Sequence, residues 1–389
     1  MPPSVNSIRF LSNAAGTDDL ALANKIFRGS LVEQVRTRTY LSGTALIKND
    51  DMSGQMAKTM QYLMEADLTN AVDYQPGEYI EGDSFAYEET TISLDPMLEK
   101  SVTMPMDQVM IAGGLLPAAQ RTGAKLGQYI MREKERRAFI TAMLTARSAA
   151  VSKAGLVVHS GGTRLLRGGG SATFATALAA AYPRTAIGAM NLRQDLRRIK
   201  ESLNAKNADT EGLIPMYMIP YLEAVLREDG NAIQIGTASN IAFSGNSSLF
   251  SKDYNAPNNL HDGSMIKMCE GFALLGTPSA TTGANGGVWP IGNQVAVNGR
   301  TPSKYITNFT PTTGAGQPVM VAFPRGGAGE FGVGRIHVGG MIPKTVLDEP
   351  RTATDFYRVL EMSGYGPLHP WCVASIEITS DSTSTLSVS

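Results

Sequence analysis

The sequence predicts a mixed α+β fold, and three stretches carry that prediction. A long helical run at 117–147, a β-rich run with an acidic turn at 55–104, and a strand–helix alternation across 192–226 share one chain of 389 residues. Strands and helices that alternate over short distances mark an α/β unit. A chain of this length has room for two or three compact units.

Residues 1–16 read as a loose arm. Asp18 and Asp19 are placed to cap a helix over 20–38, where Leu22, Ile26 and Val32 recur at roughly helical spacing and Gly29 is a weak point. From Gln55 the pattern changes. Ala57, Thr59, Gln61 and Leu63 alternate with Met56, Lys58, Met60 and Tyr62 without a clean core face. Turn formers and acids follow: Pro76, Gly77, Glu78, Glu81, Gly82 and Asp83. A second β-rich run covers 90–94 and then 102–104. Two long strands around an acidic tip make an extended hairpin. A lone two-stranded hairpin is marginal in water, and no other segment of the sequence stands out as its support.

Pro117 sits well at the first position of the next helix, which spans roughly 45 Å at 1.5 Å per residue. Its middle is a block of consecutive charges: Arg132, Glu133, Lys134, Glu135, Arg136 and Arg137. Such a block wraps the whole circumference, which predicts an exposed or externally braced stretch. The segment 151–170 reads as a Gly-rich excursion, in which Arg164 and Arg167 precede Gly168, Gly169 and Gly170 on a flexible loop. Leu192, Leu196, Ile199 and Leu203 form a helical stripe with Arg193, Arg197, Arg198 and Lys200 off it. A strand over 213–218 follows, and Pro220 opens a helix whose core side is Leu222, Val225 and Leu226. Helical periodicity fades from 231 to 340. A helix is expected at 352–361, a strand at 373–379, and a disordered Ser/Thr tail after it.

Composition narrows the functional classes. Hydrophobic residues make up 43% and charged residues 18%, below the roughly 25% of average globular proteins. Much of the polar surface is therefore neutral and suited to being covered. The 34 basic and 35 acidic residues give a net charge of -1, without the basic excess of a sequence-specific DNA binder. A container that merely holds DNA is compatible with that balance. Cys269 and Cys372 lie far apart and form no CxxC pair, so they read as buried thiols. The first residues show no signal-peptide pattern, and no stretch approaches the roughly 20 apolar residues of a membrane span. A reducing cytoplasm is the expected site of synthesis.

Motifs for catalysis or cofactors fail on spacing or context. GAGEFG at 327–332 fits GxGxxG after a strand-like run, with Asp348 and Glu349 downstream, but the next residues alternate where a dinucleotide site needs a helix. His159, His261, His337 and His369 form no metal-spaced pair. No phosphate loop and no nucleophile elbow is present in the sequence. The chain is expected to be no enzyme and to need no cofactor and no metal.

The order of these features resembles the major capsid proteins of tailed phages, which share a shell fold named after phage Hong Kong ninety-seven. Encapsulins and the herpesvirus capsid floor use a related fold. The resemblance is nearest to coat proteins of short-tailed podophages. It rests on YQPGEYIEGD at 74–83 with TISLD at 91–95 and the run 104–110, similar to the tip and return strand of an extended loop. It rests also on 123–147, similar to the spine helix, and on MSGYGPLHP at 362–370 with the strand 373–378, similar to the closing segment. DGSMIKMCEGF at 262–272 looks like the stretch where a loop enters a core strand of the axial domain. The ordered pattern covers about 20–378, while 151–170 and 277–316 are long and Gly-rich for this family.

The resemblance implies an N-terminal arm at 1–54, an extended β-hairpin loop at 55–104, a peripheral domain with the spine helix at 105–185, an axial domain at 186–340, a peripheral return at 341–378 and a flexible tail at 379–389. It implies a subunit that self-assembles as pentamers and hexamers into an icosahedral phage head around double-stranded DNA, assembled in the host cytoplasm. A scaffolding protein, a portal and a decoration protein are the further partners, with no membrane among them. The alternatives are an encapsulin-like compartment and, from another class, a nucleotide-dependent α/β enzyme using 327–332. The candidate inter-subunit contacts join the acidic tip (Glu78, Glu81, Asp83) to the basic belt of a neighbour's long helix (Arg132, Arg136, Arg137), with Arg36 and Arg38 of the arm as the competing basic patch.

Overall fold

A computed structural model describes residues 18–37, 40–42, 44–55, 57–65, 87–111, 113–153, 156–206, 212–227, 268–276, 287–294, 301–324, 330–349 and 354–388. Among these the longest element is the helix α3 (Leu115–Ala146, 32 residues), preceded by α1 (Asp18–Thr37) and the short α2 (Met106–Ile111). Pro117 falls at the third position of α3, one turn in, where its missing N–H still has no helical partner.

α1 lies along the N-terminal half of α3. Ala23, Phe27 and Leu31, spaced by four, pack on Ala119, Leu126 and Ile130 and on Tyr357 and Val359. The buried stripe of α1 is thus one residue off the expected one; Leu22 and Val32 face outward. Phe27 decides the rotation, because it is the largest apolar side chain on α1 and a flat space receives it. That space is Gly123 of α3, where a Cβ would lie 2.6 Å from the Phe27 carbonyl oxygen. Burying Phe27 contributes roughly 2–3 kcal/mol.

The largest sheet has seven strands in the order β17-β7-β16-β11-β8-β10-β9. They are β7 (Thr163–Gly168), β8 (Ile214–Met218), β9 (Met268–Cys269), β10 (Phe272–Gly276), β11 (Gln317–Ala322), β16 (Ala374–Thr379) and β17 (Thr385–Val388). The C-terminal half of α3, together with α4 (Phe174–Ala181), α5 (Ala186–Ala205) and α6 (Pro220–Arg227), shares one core with it. The expected stripe Leu192, Leu196, Ile199 and Leu203 is fully buried there, as are Leu222, Val225 and Leu226. Glu270 and Gly271, both at positive φ, turn β9 into β10, the arrangement of a two-residue hairpin turn.

A three-stranded sheet joins β1 (Lys48–Asp51), β12 (Val333–His337) and β15 (Ser363–Pro367). A second joins β13 (Ile342–Glu349), β14 (Thr354–Glu361) and β4 (Leu98–Pro105). Two hairpins complete the set: β2 (Thr59–Glu65) with β3 (Tyr87–Ser93), and β5 (Val151–Lys153) with β6 (Leu156–His159).

Several expectations are corrected. Residues 354–361 form a strand, not a helix: aromatic and β-branched residues alternate, Tyr357, Val359 and Glu361 turn inward, and eight consecutive pairs bind β14 to β4. The run 102–104 belongs to this β4–β14 ladder and not to the extended hairpin, whose arms are β2 and β3. The tail is not free; β17 pairs antiparallel with β7 and covers its edge. The excursion 151–170 holds three strands, and Arg164 and Arg167 lie on β7 within the large sheet. Parts of 277–316 are core: Trp289, Tyr305 and Phe309 are buried, and Trp289 donates its N–H to the Pro318 carbonyl. The large sheet draws strands from both sides of the expected boundaries at 185/186 and 340/341. Residues 1–16 lie outside the described residues.

Gly123→Ala is expected to push α1 off α3 at a cost of about 1–3 kcal/mol. Limited proteolysis should then cut within 18–37 faster while the rest stays resistant; unchanged cleavage would show that the two helices do not depend on this contact.

Candidate assembly interface

The charged block of α3 is not a solvated belt. Lys134, Glu135 and Arg137 are buried, and each is matched by groups from distant parts of the chain. Lys134 Nζ meets Glu361 Oε1 of β14 at 2.7 Å, and Arg335 Nη2 of β12 reaches the same oxygen at 3.0 Å. Burial pushes the Lys134 ammonium down, and Glu361 opposes that shift. Glu135 accepts the backbone N–H groups of Leu41 at 2.7 Å and Ser42 at 3.1 Å, and the Ser42 hydroxyl. Burial pushes the Glu135 carboxyl up, against the pull of these donors. Arg335 also donates to the Ser42 carbonyl at 3.2 Å. Two segments that follow α1 and border β12 are thereby tied to the middle of α3.

Arg137 binds Glu133 at 3.1 Å and lies 3.7 Å from Asp95, two residues beyond β3. Asp95 is buried and also takes Lys304 Nζ and the Tyr305 hydroxyl, both at 2.6 Å. The Tyr305 ring stacks 5.1 Å from the Arg137 guanidinium. The base of the β2–β3 hairpin is therefore clasped by α3 and by the 3-10 turn Ser303–Tyr305. Its inner face is held as well. Ile92 fills a notch over Gly334 and Gly366, where Cβ atoms would come within 2.6 and 2.8 Å of it. Met64 packs with Val158 of β6, and Lys153 of β5 binds Glu88 at 2.6 Å. The hairpin does have support from its own chain, which the sequence pattern did not reveal.

The other faces point out. On the hairpin, Leu63 and Tyr87 are 61% and 57% exposed. Val157 of β6, Met110 and Ile111 at the end of α2, and Ile187 and Met190 at the start of α5 are exposed too. These are apolar groups on four separate parts of one chain, as a surface covered by neighbours would present.

Of the candidate contact residues, Arg137 is closed off inside its own subunit. Arg132 and Arg136 are half-buried: Arg132 lies over the Tyr129 ring at 5.2 Å, and Arg136 is 3.9 Å from Glu133. Arg36 lies in α1. Glu78, Glu81, Asp83 and Arg38 fall outside the described residues. Arg164 and Arg167 are paired within the chain: Glu377 takes Arg164 at 3.2 Å and Arg147 at 2.8 Å, and Asp195 takes Arg167 at 3.5 Å. Gly332 leads into the strand β12, so the glycine motif lacks the helix that a dinucleotide would need. His337 lies on β12 and His369 stacks on Trp371 at 4.9 Å; His261 falls outside the described residues. Among the described residues no three His, Cys, Asp or Glu side chains are grouped to hold a metal, and no helix is long and apolar enough to cross a membrane.

No protein family and no curated protein matches the chain by sequence. The fold has clear counterparts among solved structures. The capsid of cyanophage P-SCSP1u superimposes with a TM-score of 0.59 at 17% identity, covering 85% of this chain and 86% of that one. The mature capsid of bacteriophage PhiM1 gives 0.60 at 12% identity, covering 87% of each. The capsid of Ralstonia phage GP4 gives 0.50 at 12% identity, covering 89% and 91%. The chain has the fold of these phage capsid proteins.

Asp95→Leu should destabilise the folded chain by about 3–5 kcal/mol, because Lys304, Tyr305 and part of Arg137 lose their buried acceptor. Lys304→Met, which removes a half-exposed partner, should cost less than about 1 kcal/mol. Urea unfolding measures both; equal losses would mean that Asp95 is not the anchor.

Proposed function

We propose that this chain, whose fold is that of tailed-phage capsid proteins, is the repeating subunit of an icosahedral head that encloses double-stranded DNA. The observation that carries this is the β2–β3 hairpin, rigidly based on α3 and the Ser303–Tyr305 turn while its outer face presents Leu63 and Tyr87 to solvent. A stiff arm with an apolar outer face is built to lie on a second copy. Obligate interfaces of this kind often bury 2,000–5,000 Å² or more. Pentamers and hexamers are the closed units such a contact generates by symmetry.

Within this reading the role is structural, and the chain is a component of the virion assembled in the host cytoplasm. The segments 74–83, 123–147 and 362–370 favour a short-tailed phage. A scaffolding protein and a portal are the partners that such a head requires, with a decoration protein as an optional one. The hairpin tip, with Glu78, Glu81 and Asp83, is proposed to meet a basic surface of a neighbouring copy. Arg132 and Arg136 on α3, or Arg36 and Arg38 near the arm, are the candidates. Arg137 is not one, because its guanidinium is paired within its own subunit. The division into peripheral and axial domains belongs to the same proposal.

The wild-type chain, expressed with its scaffold, should give pentamers, hexamers or closed shells by light scattering and negative-stain microscopy; a strictly monomeric chain overturns the reading. Deleting 73–83 should leave a soluble, cooperatively folding subunit that makes no stable shells. Arg136→Glu should lower assembly yield more at low salt than at high salt, since exposed pairs are worth only about 0–1 kcal/mol each and are screened. Adding Glu81→Arg should restore part of the yield if the two meet. Strictly additive losses assign the tip to the other basic patch.

A further inference from the structure

The outward side of α3 carries a feature that the buried belt does not explain. Arg121, Lys125, Tyr129, Arg132 and Arg136 follow one another at steps of four, four, three and four residues. At 3.6 residues per turn they fall within an arc of about 80°, along roughly 22 Å of helix. Arg121, Lys125 and Tyr129 are exposed, and Arg132 and Arg136 are half-exposed. Lys100 of β4 joins the row, its Nζ 5.4 Å from the Tyr129 ring centroid, with the Arg132 guanidinium 5.2 Å from the same ring. Five cations therefore form a ridge around one aromatic ring. Among the described residues no carboxylate pairs with Arg121, Lys125 or Arg132; Glu133 touches only the end of the ridge, at Arg136. Glu99, beside Lys100, is engaged by Arg358 at 2.8 Å. In a chain of net charge -1, this concentration of like charge is local and costs self-repulsion unless an anion covers it.

We infer that this ridge is a track for the phosphate backbone of double-stranded DNA, bound without regard to sequence. The inference rests on the reading of the chain as the subunit of a DNA container. The length of the ridge favours a polyanion over the hairpin tip of a neighbour. The tip offers three carboxylates within six residues, whereas the cations run for about four helical turns. A duplex presents a phosphate every 3.4 Å or so along each strand, and its bound counterions are released when lysine and arginine replace them. Nothing in the ridge is shaped to read bases: the side chains stand on a convex helix surface, and the planar ring is flanked by cations. Packed duplexes lying against many such ridges would be held weakly at each and released together.

The test uses the full chain, assembled and unassembled. Unassembled subunits are titrated against a fluorescent duplex of about 30 base pairs of arbitrary sequence over a range of salt. The comparison is with the triple variant Lys100→Gln, Arg121→Gln and Lys125→Gln, which leaves Arg132, the Arg136–Glu133 pair and every buried charge in place. The expected result is at least about a tenfold loss of affinity at low salt, and a slope of log affinity against log salt shallower by about 2–3. Thermal unfolding and shell yield should be unchanged. Undiminished DNA affinity overturns the inference. If shell yield falls while DNA affinity stays the same, the ridge is a contact between copies. If the wild-type chain forms no shells at all, the container reading fails independently of the titration.

Discussion

The structure depends on three buried charges within one turn in the middle of its longest helix. Burying Lys134, Glu135 and Arg137 is tolerable only because each finds an opposite charge or a set of donors. Those partners come from residues 41–42, 95 and 361, far apart in the chain, and Arg335 shares the Glu361 carboxylate with Lys134. Leaving any of them out would strand a charge in the core. The segment after α1, the base of the hairpin and two of the small sheets are thus held to one place along α3. Glu377 does the same for the large sheet, where it takes both Arg147, at the end of α3, and Arg164 of β7. Ion pairs of this kind add little net stability but leave few alternative arrangements, which suits a subunit that must present several surfaces at once.

The hairpin shows the consequence. Its inner face is occupied by Ile92 in the notch over Gly334 and Gly366 and by Met64 against Val158, and its base is gripped through Asp95. In the proposed assembly, a neighbour's contact with its outer face would be made by an arm already ordered, so less conformational entropy would be lost on association. In the proposed shell, small contacts repeated around it would gain from that saving at every copy. The same helix that anchors the hairpin turns its basic ridge outward, so the anchoring side and the proposed DNA-facing side are two faces of one element.

Much of the local structure was legible. Helical stripes such as Leu192–Leu196–Ile199–Leu203, the helix opening at Pro220 and the strand before it follow from periodicity and turn chemistry, which act over a few residues. The hairpin and its order relative to the long helix were legible for the same reason, and that order carried the resemblance that the fold confirms. What the sequence by itself determined was therefore which segments are helix or strand where the pattern is strong, and the succession of elements along the chain.

What only the tertiary structure decided is where the charges go. The run 132–137 looks like a solvated belt because a sequence shows charge without its partner. Lys134 and Glu361 are 227 positions apart by their numbers, and no local pattern links them. Thr354–Glu361 is a strand because β4 and β13 flank it, although its residues tolerate either structure. Thr385–Val388 is a strand because β7 had an open edge. In each case the deciding free energy lies in contacts made at long sequence separation: a buried counter-charge, a completed ladder of backbone hydrogen bonds, an edge covered. Such contacts exist only once the chain has folded around α3.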